Sequence, residues 1–235
     1  PDLSKWVKIK EAIEDPKHEV NIAIVGKYTD YRDSYKSLLE AIDHAAFSQK
    51  AKANIVWVNA RKNQKNLPKN IDAVLIPGGF GEDGAEGKIS MIEQARINKV
   101  PCLGICYGMQ MAVIEYARNV LGMKDATSTE FAKKGKSLVG MMHEWQDKSG
   151  KRTKKSGSDM GGTMRLGAYP CVISKGSVVE KIYGSTKISE RHRHRYEVNI
   201  NYKDDLEKAG LRFSGMSPDG KLPEIIEIKD HPFFV

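Results

Sequence analysis

Apolar residues in the first part of the chain fall into short unbroken runs, separated by stretches with helical spacing. Val20-Asn21-Ile22-Ala23-Ile24-Val25 predicts a buried strand closed by Gly26. From Ser34 to Lys50, Leu38, Leu39, Ile42, Ala45 and Ala46 recur on one side of a predicted helix. Asn54 to Val58 predicts a second strand. Ile71 to Ile76 predicts a third, halted by Pro77-Gly78-Gly79. Lys88 to Asn98 predicts a helix, and the apolar run from Val100 to Ile105 a fourth strand. Met109 to Arg118 then returns at once to helical spacing. Strands alternating with helices predict an α/β fold: a doubly wound, mostly parallel central sheet flanked by helices. The second half is richer in strand signals, at Pro170–Ser174, Arg195–Asn199 and Glu224–Ile228, which predicts a smaller additional β region. Residues 1–19 predict a charged helix and a linker ending near Pro16. No internal repeat is visible.

The 235 residues, 40% of them hydrophobic, suffice for one large domain or two small ones. No apolar run is long enough for a membrane-spanning helix, and the first residues are polar and charged, unlike a secretory leader. The three cysteines, Cys102, Cys106 and Cys171, are an odd number without framework spacing. That suits a reducing, cytoplasmic compartment. No Cys-x-x-Cys pair or zinc spacing occurs, so no metal is expected. A net charge of +8 admits a polyanionic partner. Much of it crowds into one stretch, with Lys133, Lys134, Lys136, Lys148, Lys151, Arg152, Lys154 and Lys155 among serines and glycines. Residues 132–160 are therefore expected to form a long, mobile surface loop whose charges are simply solvated.

Candidate chemistry centres on Gly104-Ile105-Cys106-Tyr107-Gly108. This is a G-x-nucleophile-x-G elbow between a predicted strand and a predicted helix, with sulfur where hydrolases place serine. So sharp a turn needs small neighbours. It also aims a helix N-terminus at the side chain, which favours a thiolate. A buried structural cysteine is the competing reading; the glycines and the strand-to-helix switch favour the nucleophile. Pro77-Gly78-Gly79-Phe80-Gly81 follows a predicted strand, at the sheet edge where ligands bind in open α/β folds. One of its N–H groups, with that of Tyr107, suits an oxyanion hole. The phosphate-loop pattern fails, because Gly81 is one residue too far from Gly87-Lys88 and Ile89 follows the lysine. In Glu190 to Asn199, strand alternation points Arg191, Arg193 and Arg195 one way and His192 and His194 the other. Three uses remain open for this segment. They are an RNA-binding stripe, a two-histidine metal site lacking an obvious carboxylate, and an arginine pairing a ligand carboxylate.

Together these segments resemble the class I, triad-type glutamine amidotransferase domain of CTP synthase. The likeness includes Val25-Gly26-Lys27-Tyr28, the Pro-Gly-Gly-Phe-Gly loop, Glu86-Gly87-Lys88 and the elbow. It continues through Asp125 to Phe131, Gly161 to Gly167 and Arg191 to Asn199, and covers nearly the whole chain. The elbow alone fits many amidotransferases. Arg-His-Arg-His-Arg-Tyr-Glu-Val-Asn and Gly-Gly-Thr-Met-Arg-Leu-Gly are far more specific.

The resemblance implies a flavodoxin-like fold and an enzyme that hydrolyses glutamine to glutamate and ammonia through a thioester on Cys106. It implies that the backbone N–H groups of Gly79 and Tyr107 stabilise the oxyanion. It implies that Gln110 and Glu130 bind glutamine, Glu130 at the α-ammonium, and that Arg195 meets the α-carboxylate. Tyr107 stands where leucine is common, which leaves a backbone role intact. Residues 1–19 are then a linker from an N-terminal synthetase domain, and 20–235 the amidotransferase domain. Ammonia would pass to the synthetase for ATP-dependent amination of UTP to CTP, with ATP and Mg2+ bound there, GTP as activator and a homo-oligomeric full-length enzyme. No cofactor for this domain, no nucleic acid and no membrane partner are expected. The alternatives are another class I amidotransferase, a cysteine hydrolase of the same fold such as a peptidase, or a basic nucleic-acid-binding module.

A cysteine nucleophile is usually activated by a histidine that a carboxylate orients. The resemblance places that pair in a His-Pro-Glu segment near the domain's C-terminal end. His231-Pro232-Phe233-Phe234-Val235 is similar to the stretch just before it, and Phe233 cannot orient an imidazole. His231 is therefore not assigned the role. The pair is expected beyond Val235, which leaves the domain C-terminally incomplete and its triad unfilled.

Overall fold

In the computed structural model, residues 2–62, 64–132, 134–141 and 164–235 are described. The chain begins with α1 (Ser4–Glu14). It then alternates β1 (His18–Gly26), α2 (Lys36–Ser48), β2 (Ala51–Asn59), β3 (Ala73–Ile76), α3 (Ala85–Ile97), β4 (Cys102–Gly104) and α4 (Tyr107–Asn119). The four strands form one parallel sheet in the order β2-β1-β3-β4. The chain runs outward from β1 to β2, then returns past β1 to β3 and β4. Right-handed crossovers in opposite directions put α2 and α3 on opposite faces, which is the doubly wound arrangement. Both faces are covered, so Ala23, Ile24, Val25, Val74 and Ile76 are fully buried. That is why these strands read as continuous apolar runs.

The second half contributes β5 (Ala126–Ser128), β6 (Lys136–Gly140), β7 (Arg165–Ile173), α5 (Val178–Tyr183), β8 (Lys187–His194) and β9 (Glu197–Val198). It ends with α6 (Lys203–Lys208), β10 (Leu211–Met216) and β11 (Pro223–Ile228). β11-β10-β7-β8 is an antiparallel sheet, and β5-β6-β9 is a small mixed one. This is the additional β region. Past β11 the chain turns back along β4. Gly104 N–H donates to the Val235 carbonyl at 2.7 Å, and Val235 N–H to that of Cys102 at 3.0 Å.

Two sequence expectations are corrected. Residues 132–160 are not one loop, because Lys136–Gly140 is strand β6 and pairs with both β5 and β9. Its apolar core, Leu138 and Val139, is fully buried but too short to stand out among lysines. Lys133 and residues 142–163, with Lys148, Lys151, Arg152, Lys154, Lys155 and the Gly161-Gly162-Thr163 segment, lie outside the described residues. The expected strand Arg195–Asn199 is also displaced. β8 ends at His194, and only Glu197–Val198 pairs again, now with β6. Among the described residues, no helix is long and apolar enough to cross a membrane.

α4 is the spine of the molecule, buried at every position from Tyr107 to Ala117. That includes Glu115, which is 0% exposed and pairs bidentately with Arg96 of α3 at 2.7–3.1 Å. The close fit of α4 against β3 depends on a missing side chain. A Cβ on Gly108 would stand 2.3 Å from the Ile76 carbonyl oxygen, and one on Gly104 would stand 2.8 Å from the Gly108 backbone. Backbone cannot yield as a flexible side chain would. Gly108→Ala is therefore expected to cost about 2–3 kcal/mol, read as a lower denaturant midpoint by circular dichroism. An unchanged midpoint would mean that α4 and β3 are not in this contact.

Candidate active site

Cys106 lies between β4 and α4 with φ +57° and ψ −105°. This is a positive-φ conformation outside the left-handed helical region, which a side chain adopts only under constraint. The constraint is visible on both sides. Ile105 N–H donates to the Ile76 carbonyl at 2.9 Å, Gly108 N–H to that of Ile105 at 2.9 Å, and Gln110 N–H to that of Cys106 at 3.2 Å. The turn leaves the thiol partly exposed at the N-terminus of α4, while Cys102 and Cys171 are each 2% exposed. Burial pushes the Cys102 thiol up to about 12 and that of Cys171 to about 11.

Next to the thiol is a cavity of about 530 Å3, lined by Gly79, Cys106, Gln110, Glu130, His194 and Arg195 among others. That volume suits a small ligand. A larger groove of about 1030 Å3 runs between α1 and α2, but no cysteine lines it. The chemistry identifies the smaller space as the site.

Four side chains hold the Pro77–Gly81 loop by its backbone. Lys88 Nζ donates to the Pro77 carbonyl at 3.0 Å, and Lys27 Nζ to that of Phe80 at 2.8 Å. The Tyr107 hydroxyl donates to the Gly81 carbonyl at 2.5 Å, while Gly81 N–H donates to Glu130 Oε1 at 2.8 Å. The Tyr107 side chain is thus turned away from the ligand space and braces the loop, a role the sequence did not suggest. Its backbone N–H opens α4, where no intrahelical acceptor exists.

The residues assigned to a ligand's charged ends also converge here. Glu130 is half-buried. Burial raises its carboxyl above the ordinary value, against the Gly81 N–H and the charge of Lys27. An ammonium arriving in the cavity would act in the opposite direction and favour the carboxylate. Arg195 is exposed on the cavity wall, outside β8, and no ion pair engages it among the described residues. Gln110 is 4% exposed, and its Nε2 donates to the Tyr196 carbonyl at 2.7 Å. It therefore fixes the β8–β9 corner as well as lining the cavity.

One partner of the Cys106 thiol lies outside the sequence expectations. The alternation in β8 holds as far as it runs, with Arg191 and Arg193 exposed and His192 and His194 turned inward. The inward face brings the His194 imidazole against the Cys106 thiol. On its other side, His194 Nδ1 lies 3.5 Å from Glu197 Oε2, an ion-pair contact rather than a short hydrogen bond. Glu197 also receives Arg165 Nη1 at 3.1 Å. Arg165 Nη2 reaches Glu224 at 2.6 Å, and Glu224 meets His192 Nε2 at 3.0 Å. The carboxylates missing from the two-histidine reading are therefore present, one beside each ring. Among the described residues, no three His, Cys, Asp or Glu side chains gather to hold a metal.

Burial opposes a charge on His194, but the facing Cys106 and Glu197 push it up to about 10. Burial holds His192 below its ordinary value, with Arg165 and the charged His194 acting against Glu224. The neighbouring rings thus divide their roles, one imidazolium and one neutral imidazole. The spacing of His194 and Glu197 was the sequence signal available. A strand continuing through Arg195 would put these two side chains on opposite faces, so the pairing depends on the break after His194. His231 lies elsewhere, its Nε2 3.2 Å from the Ala95 carbonyl and its ring edge-on to Phe234.

Comparison with known proteins gives this geometry a context. The family model for class-I glutamine amidotransferases matches residues 30–235. The chain is 54% identical over its full length to the CTP synthase of Maricaulis maris (strain MCS10) and 55% identical to that of Gluconobacter oxydans (strain 621H). In each case it spans 44% of the relative's own length. Its fold is similar to the glutaminase domain of Trypanosoma brucei CTPS with bound acivicin. The TM-score is 0.78 at 36% identity, over 92% of this chain and 83% of that one.

The contrast among the thiols is directly testable. At pH 8 the buried Cys102 and Cys171 carry thiolate at about one part in ten thousand and one in a thousand. Iodoacetamide in the native state should therefore label Cys106 alone by peptide mass spectrometry. Comparable label on Cys102 or Cys171 would contradict this burial. His194→Gln removes the counter-ion and should slow Cys106 alkylation at neutral pH about tenfold. An unchanged rate would show that the imidazole does not act on the thiol.

Proposed function

The chain belongs to the class-I glutamine amidotransferase family, and from that premise we propose that it hydrolyses the side-chain amide of glutamine at Cys106. The reading is carried by one convergence. A strained, accessible thiol, a backbone donor loop, a carboxylate and an arginine meet at one cavity of about 530 Å3. A free amino acid needs one anion and one cation to fix its charged ends, and Glu130 and Arg195 supply them.

In the proposed reaction, the Cys106 thiolate attacks the amide carbon. A C–S bond forms while the carbonyl π pair moves to oxygen. The N–H groups of Gly79 and Tyr107 receive that oxyanion. Collapse breaks the C–N bond, ammonia leaves with a proton, and a glutamyl thioester remains. Water then releases glutamate and regenerates the thiol. His194 is placed to hold the thiolate as its counter-ion. With its proton retained up to about 10, it is a poor base at neutral pH. Proton transfer to ammonia and from water belongs, by the resemblance, to a His-Pro-Glu pair, and none occurs in the 235 residues.

The relatives' name extends the proposal to a longer enzyme in which the ammonia aminates UTP to CTP and residues 1–19 link the two parts. The homo-oligomer belongs to that longer enzyme, as do ATP, Mg2+ and the activator GTP. The residues described do not fit Mg2+, since no carboxylate cluster forms, and the phosphate-loop pattern fails.

Glutamine-dependent ammonia release is the test. Cys106→Ser should abolish it. Glu130→Ala and Arg195→Ala should each raise KM for glutamine by about tenfold to a hundredfold, the worth of one charge-assisted hydrogen bond. An unchanged KM in both, or equal hydrolysis of peptides, would reject a free-glutamine site.

A further inference from the structure

Behind the site lie two lysines that the reaction as described does not use. Lys88 projects from α3 and is 3% exposed; Lys27 follows β1 and is 9% exposed. Buried ammonium groups are costly unless paired, yet neither has a carboxylate within ion-pair distance among the described residues. Lys88 instead has the Pro77 carbonyl at 3.0 Å and the Tyr107 ring centroid at 4.9 Å. Lys27 has the Phe80 carbonyl at 2.8 Å and the Phe80 ring centroid at 4.6 Å. The two ammonium groups thus grip the loop on either side of Gly79. A Cβ on Gly79 would stand 3.4 Å from Lys88 Nζ, so the cation is directly behind that residue. α3 comes this close because Gly87 has no side chain; a Cβ there would overlap the Ala60 carbonyl oxygen at 1.8 Å.

We propose that Lys88, assisted by Lys27, is a positioning residue for acyl transfer at Cys106. It fixes the oxyanion loop through the Pro77 carbonyl and keeps a buried positive charge behind the thiol and the forming oxyanion. The proposal rests on the glutaminase reading for the oxyanion, but not for the thiol. Electrostatics supports it. Burial and the neighbouring Lys27 push the Lys88 ammonium down to about 8, and Cys106 is the group that works to keep it charged. A neutral donor could also reach the loop carbonyl, more weakly. A cation adds a field that strengthens as negative charge develops, which is the differential stabilisation catalysis requires.

The test compares Lys88→Met, which keeps length and volume without charge, with Lys88→Gln, which keeps a donor for the carbonyl without charge. Both should move the pH profile of Cys106 alkylation by iodoacetamide upward by about one unit, a roughly tenfold loss of rate at neutral pH. Glutamine kcat should fall about tenfold, with KM changed less than about threefold because the Glu130 and Arg195 clamp is untouched. A packing role predicts no shift in Lys88→Met. A bond without a field predicts no shift in Lys88→Gln. Alkylation profiles that superimpose on the parent's, in variants whose circular dichroism and melting show them folded, overturn the proposal. If one variant does not fold, the other decides. If the parent protein releases no ammonia from glutamine, the glutaminase reading fails while the alkylation profiles still judge the lysine.

Discussion

The gap where a Cβ is missing on Gly108 sets the geometry of the whole site. Because nothing stands between the helix backbone and the Ile76 carbonyl, α4 begins directly on the end of β3. The chain then reverses from β4 into α4 within the residues around Cys106, which makes the turn at a positive φ of +57°. Strain of this kind persists only where the surroundings over-determine it. Here they do, through hydrogen bonds on both sides and a helix buried along most of its length. The thiol is thereby held beside the ends of β3 and β4, close to the loop that follows β3.

Around this fixed point, charge is arranged in layers. The face toward β8 presents an imidazolium backed by Glu197, Arg165, Glu224 and the neutral His192. Arg165 and His194 balance the two glutamates, so the buried group carries no net charge, which is how such a cluster avoids a large desolvation cost. The face toward α3 and β1 presents two ammonium groups matched by carbonyls and rings rather than by carboxylates. A thiolate between the two faces meets positive potential from both sides. The cavity itself offers opposite signs at separate places, Glu130 on one wall and Arg195 on another. Opposite charges at one cavity suit a zwitterionic ligand.

The outward arginines of β8 show how the same residues support several functions until the backbone is known. Alternation correctly separated Arg191 and Arg193 from His192 and His194. It failed at Arg195 because the strand stops one residue earlier. That single break carries Arg195 to the cavity wall and lets Glu197 turn back beneath His194. Similarly, the Gly-Gly-Thr-Met-Arg-Leu-Gly segment was distinctive in sequence but had no role until Arg165 was seen bridging Glu197 and Glu224.

The sequence by itself determined the parallel sheet and the elbow with Cys106 at its tip, because these depend on local periodicity and on glycines flanking one cysteine. It also named the residues for a ligand's two charged ends, through resemblance. Only the tertiary structure decided what stands behind them: His194 on the thiol, Tyr107 and the two lysines on the loop, and β6 within a supposed loop. Each of these contacts joins elements far apart in the chain, from Lys27 to Phe80 and from Cys106 to His194. Spacing along a sequence has no measure of such distances; they are fixed by how the strands cross and how closely the helices pack.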